Sequence, residues 1–209
     1  MITDNFTDIE LRDELFKDKR DIISQLSKVV LRPDYIRTVK KATKFPFNYL
    51  SPYKSSRGNR YIIMLTPTDR KRGASNPLTI VYTKLQKKEG IYAIRYDIVN
   101  NHITIFSPHF FSRYRSRFLK NEEYKTDILI DKYMQRNANL SVTKDSGLPN
   151  EVMVGACEDG LVFVKRITDG VSIALTFVSK DLLKDGQIPQ NEQLLKIITE
   201  HLEEIQPNK

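Results

Sequence analysis

The feature that most constrains this chain is a run of three apolar, β-branched segments at 152–157, 161–167 and 171–178, separated only by Glu158-Asp159-Gly160 and Thr168-Asp169-Gly170. Turns this short reverse the chain on itself, so the three segments predict an antiparallel β-meander. The second turn leaves two registers open. A two-residue turn at Asp169-Gly170 puts Lys165 on the face of Thr176. A three-residue turn at 168–170 puts Arg166 there, with Ser172 and Thr176.

The same period of two appears earlier. Segments 60–65, 78–85, 91–99 and 102–106 read as strands, with Asn100-Asn101 as a tight turn and 67–77 as an exposed basic loop. Elsewhere the period is helical. Thr7-Asp8-Ile9-Glu10 has the form of a capping box, and Leu11, Leu15, Ile22, Leu26, Val29 and Val30 follow at helical spacing. Pro33 opens a second short helix, which Phe45-Pro46-Phe47 ends. Ser107-Pro108 opens a helix to about 119, and a further helical stretch covers 121–136. Residues 137–150 read as a loop. A last amphipathic helix is expected at 191–206, with Leu194, Leu195, Ile198, Leu202 and Ile205 on its apolar side. The expectation is α+β: antiparallel sheet or sheets, an N-terminal helical segment, a central helix pair and a C-terminal helix. It is read as one domain over 1–209, divisible into a basic helical and β-rich lobe (1–106) and a helix-plus-meander lobe (107–209).

The chain has 209 residues, 40% of them apolar, enough to bury a sizeable core. Its net charge of +8 is unevenly spread: −2 over 1–31, +15 over 32–120 and −5 over 121–209. Eight of the ten Tyr also fall in 32–120, interleaved with cations as in Arg60-Tyr61, Arg95-Tyr96 and Arg113-Tyr114-Arg115. Cations that hold phosphates beside rings that stack bases suit single-stranded nucleic acid. The candidate binding residues are Arg57, Arg60, Arg70, Lys71, Arg72, Arg95, Tyr96 and Tyr114. An acidic protein partner or a second copy of the chain could equally balance the charge. One Cys excludes an internal disulfide and a Cys-based zinc site, and no metal or nucleotide cofactor is expected. No apolar run is long enough for a membrane span and no export signal is recognisable, so a cytoplasmic location is expected.

The segment from Ser107 to Phe118 carries the chemistry. His109, Arg113 and Arg117 are four apart and share one helix face, while Phe110, Tyr114 and Phe118 form the adjacent row that docks on a sheet. Neighbouring cations and the helix N-terminus disfavour a protonated imidazole. A neutral imidazole beside guanidinium groups is suited to general-base attack on a phosphodiester. Lys165 or Arg166, with Thr176, could assist from the meander.

This order resembles the small toxins of the RelE and BrnT kind and related families whose helix carries a His-x3-Arg-x3-Arg pattern. The resemblance covers about 103–180, leaves residues 1–100 without a counterpart, and implies a metal-independent endoribonuclease. It assigns the helix motif to His109, Arg113 and Arg117. Lys165, Arg166 and Thr176 correspond only by their place in the meander. Three readings stand at this point: a toxin-like ribonuclease, a nucleic-acid-binding module without catalysis, and a protein-interaction accessory factor.

Overall fold

A computed structural model describes residues 1–71, 73, 76–120, 124–138, 140–144 and 151–181. The chain is α+β and divides into two compact units, Met1–Ile103 and Thr104–Lys209. The helix expected at 191–206 and Arg72 lie outside the described residues.

The first unit opens with α1 (Asp8–Lys17), α2 (Lys19–Val30) and α3 (Pro33–Lys41). The capping box forms: the Thr7 hydroxyl accepts from Glu10 N–H, and the Glu10 carboxylate accepts from Thr7 N–H. One continuous helical face was expected over 11–30, but the helix breaks at Asp18. The reason is a competing partner. The Asp18 carboxylate is buried and accepts hydrogen bonds from Ser55, Asn59 and Tyr61 at 2.7–2.8 Å, which turns the chain.

Strands β1 (Tyr49–Lys54), β2 (Arg60–Thr66), β3 (Leu78–Lys87) and β4 (Gly90–Asp97) pair antiparallel in sequence order. β1 was not expected, because Pro52 interrupts it. Proline is tolerated in a strand with only one neighbour, and β1 is last in the sheet order. One sheet face carries Tyr61, Ile63, Val81 and Tyr96 against the helices, with Phe16 of α1 stacked on Tyr96 at 5.6 Å. The turn after β4 uses Asn101 at φ 50°, as the Asn-Asn pair predicts.

In the second unit, β5 (His102–Phe106) leads into α4 (Pro108–Tyr114), a π-helical turn (Arg115–Leu119) and α5 (Thr126–Arg136). Ser107 caps α4 through Phe110 N–H. Strands β6 (Ser141–Lys144), β7 (Val152–Cys157), β8 (Gly160–Thr168) and β9 (Val171–Ser179) follow, in the order β9-β8-β7-β6. The meander is present, and β6 adds a strand within the expected loop. Phe110, Tyr114 and Tyr133 pack as a buried aromatic cluster, and Tyr114 meets Phe177 of β9 edge-on at 5.0 Å.

The last hairpin resolves the two registers in an unforeseen way. Its turn has two residues, with Thr168 opposite Val171. A bulge at Ile167 then sets Arg166 opposite Ser172, and a second at Leu175 sets Thr176 opposite Phe163.

Candidate functional site

Along the helix that opens at Ser107, the row His109, Arg113, Arg117 does not stay aligned. Arg113 Nε donates to His109 Nε2 at 3.3 Å, and this pair lies at the surface. Beyond Tyr114 the helix widens into the π-turn, which changes the direction of Arg117. Its Nη1 donates to Thr176 Oγ1 at 3.1 Å and to the Phe177 carbonyl at 2.7 Å. Burial, together with the charge of Arg113, lowers the Arg117 pKa. Arg117 is therefore a strap that ties the π-turn to β9. Thr176 is 2% exposed, so its hydroxyl faces Arg117 rather than a substrate.

The two meander cations are engaged at strand ends. Lys165 pairs with Glu151 at 3.4 Å, and Arg166 pairs with Asp169 across the hairpin turn at 2.7 Å. Of the six residues expected to cooperate, the structure joins His109 to Arg113 and Arg117 to Thr176. Lys165 and Arg166 have their own separate partners.

The interleaved Tyr are mostly core. Tyr35, Tyr61, Tyr82, Tyr96 and Tyr114 are all buried. The alternation is the strand period itself: in Arg60-Tyr61 and Arg95-Tyr96 the Tyr faces the packed side and the cation the other. Tyr96, stacked under Phe16, and Tyr114, which donates to Asp159 at 2.6 Å, offer no face to a base. This corrects the expectation for both residues.

Arg57 is likewise structural. It holds buried Glu14 with Nε and Nη2 at 2.8–3.2 Å and lies 3.6 Å from Asp18. Burial raises the Glu14 pKa. Hydrogen bonds from the Met1 amine, Arg57, Asn59 and Lys17 outweigh it and hold Glu14 at about 2. Arg60, Arg70 and Lys71 are exposed and Arg95 is half-buried.

Lys54 stands directly opposite Arg60 across β1 and β2, and Pro52 opposite Ile62. With Lys84 of β3 they line a groove of about 580 Å³ on the sheet. Among the described residues, no carboxylate pairs with Lys54 or Arg60. The carboxylates of the helices bond elsewhere: Glu14 and Asp18 as above, Asp21 to Ser56 N–H, and Asp34 to the Tyr49 hydroxyl. Lys54, seen in sequence only as one of the interleaved Tyr–cation pairs, and Lys84 were not among the expected binding residues, because only the strand register brings them together with Arg60.

Asp159, read from sequence as a turn residue, is the polar centre of the second unit. It is 2% exposed and accepts from Tyr114, from Arg136 through Nε and Nη2, and from Asn137, while its N–H donates to Asn137 Oδ1. Burial raises its pKa, but Arg136, Tyr114 and Asn137 together leave it below the ordinary value.

Among the described residues, no three His, Cys, Asp or Glu gather as a metal site, and no helix is long and apolar enough to cross a membrane. Comparison with family models, curated proteins and solved structures gives no match to this chain.

Proposed function

We propose that this chain binds a polyanion, and specifically nucleic acid, through its first unit. The observation that carries this reading is the groove at Pro52, Lys54, Arg60, Ile62 and Lys84, where cations from three strands meet and where, among the described residues, no carboxylate pairs with Lys54 or Arg60. The charge partition supports it. Unit Met1–Ile103 carries 20 Lys and Arg against 11 Asp and Glu, a net of +9, and Thr104–Lys209 carries 14 against 15, a net of −1. An anionic polymer gains from such a surface by releasing its counterions. The test is anisotropy of a labelled single-stranded RNA over a salt series. Wild type is expected to bind with a steep salt slope. A Lys54→Gln/Arg60→Gln variant is expected to lower that slope by about 1.4, at roughly 0.7 per phosphate contact on a single strand. An unchanged slope would remove the groove from the interface.

A second reading rests on the His109–Arg113 pair, an exposed imidazole held at Nε2 by a guanidinium. The hydrogen bond requires an unprotonated Nε2, and this nitrogen becomes a general base once a substrate phosphate draws Arg113 away from it. Incubation of wild type and His109→Ala with labelled RNA in EDTA decides it. Fragments from wild type alone support a metal-independent ribonuclease. Intact RNA in both lanes rejects it and leaves binding as the function.

A further inference from the structure

We infer that the end of α3 and the loop after β2 form a second nucleic-acid contact, in which Phe45 and Phe47 stack unpaired bases while the surrounding cations hold the phosphates. This rests on the polyanion reading above and gives it a substrate class, single-stranded nucleic acid.

The exposed side of α3 carries Arg37, Lys40 and Lys41, and Lys44 follows its end. Cations here are favoured by the negative end of the helix dipole. The loop brings in more. Arg70 Nη2 donates to the carbonyl of Ala42, the C-cap of α3, at 2.6 Å, and exposed Lys71 adjoins it. Arg37, Lys40, Lys41 and Lys44 thus lie within a few residues of one helix end, and Arg70 is bonded to it. Asp34, the carboxylate at the other end of α3, accepts from Tyr49 at 2.5 Å.

Gly73 of the loop is anchored to α3. The buried Tyr35 hydroxyl of α3 donates to the Gly73 carbonyl at 2.5 Å, and Gly73 N–H returns to the Asp69 carbonyl at 2.9 Å. A Cβ on Gly73 would sit 2.3 Å from the Asp69 carbonyl oxygen and 2.7 Å from Pro67 Cβ, so only glycine permits this closure.

What singles out nucleic acid is the pair of rings beside Lys44. Phe45 and Phe47 lie 5.5 Å apart, tilted by 53°, and both are half-buried. The Tyr rings interleaved with cations elsewhere are largely packed inside. These two combine partial exposure with neighbouring cations, the combination single-strand binders use.

The test compares a labelled oligouridylate with inorganic polyphosphate of matched charge on the full chain. Wild type is expected to prefer the oligonucleotide by about tenfold, because polyphosphate has no base to stack. Phe45→Leu/Phe47→Leu should erase that preference and leave polyphosphate binding unchanged. Tyr35→Phe, which alters no charge, should weaken both ligands by roughly threefold through loss of the loop anchor. Circular dichroism and thermal melting verify that each variant is folded. If wild type binds both ligands equally, or the Phe variant keeps the preference, the stacking site is overturned and the polyanion reading stands. If neither ligand binds, both fall. If the Phe variant loses binding to vesicles of anionic lipid but keeps its oligonucleotide preference, the rings belong to a membrane contact and the inference is overturned.

Discussion

The two units solve the same problem with different charge economies. Each fastens helices to a β-turn through buried carboxylate. In the first, Glu14 and Asp18 receive Arg57, Asn59 and Ser55 from the turn between β1 and β2, and Tyr61 from β2. In the second, Asp159 in the β7–β8 turn receives Tyr114 of α4, Arg136 of α5 and Asn137. The first unit buries Glu14 and Asp18 inside, and among the described residues no carboxylate pairs with Lys54 or Arg60 on its sheet. The second balances its charges almost evenly. A net-charge pattern thus reports a surface only after the buried partners are subtracted.

The largest expected effect is at Asp159. Replacing it with Ala leaves the buried Tyr114 hydroxyl and Asn137 amide without their common acceptor and frees the half-exposed Arg136 guanidinium, a loss of about 2–4 kcal/mol at ~1–2 per orphaned buried group, read as a lower urea midpoint. Asp159→Asn keeps one acceptor and should lose less. Equal midpoints for wild type and Asp159→Ala would mean that the unit is not centred on this residue.

Acid should weaken both units. Glu14 titrates at about 2 in the folded chain against an ordinary 4.5. Between those values the unfolded state holds the extra proton, so the stability Glu14 contributes is complete above about pH 5 and drains away as pH falls toward 2. Unfolding measured from pH 6 to 2 should show this slope, and Glu14→Gln should flatten it. Asp159 is shifted the same way and acts over the acid range too.

Arg117→Met tests the strap. It removes two hydrogen bonds to β9 and should lower stability by about 1–3 kcal/mol while RNA binding by the first unit persists. Loss of RNA binding without loss of stability would return Arg117 to a phosphate-contact role. The smallest effects come from a matched pair. Tyr61→Phe breaks a bond to buried Asp18 and should cost about 1–2 kcal/mol. Among the described residues the buried Tyr96 hydroxyl has no hydrogen-bond partner, so Tyr96→Phe should be neutral or slightly stabilising.

Local signals predicted local structure well. The capping box, the Ser107 cap, the Asn101 turn and the meander are each written in a few adjacent residues. What escaped was set by tertiary competition. Asp18 breaks a good helical pattern because distant Ser55, Asn59 and Tyr61 bind its side chain. Two bulges in the last hairpin redirect Arg166 and Thr176, and a bulge has no fixed sequence mark. The His109 row looked continuous because spacing by four assumes an α-helix, and the π-turn at 115–119 violates that assumption. The Tyr-cation interleaving was misread for a simpler reason: strand alternation and a base-stacking surface produce the same string of letters.

Pro52 has a consequence beyond delaying recognition of its strand. β1 closes one side of the sheet and presents that side to whatever approaches. A proline in the middle of it has no N–H to offer an incoming strand, and Lys54 places a charge two residues further on. Together they discourage another chain from adding itself in β-fashion, so this border resists aggregation.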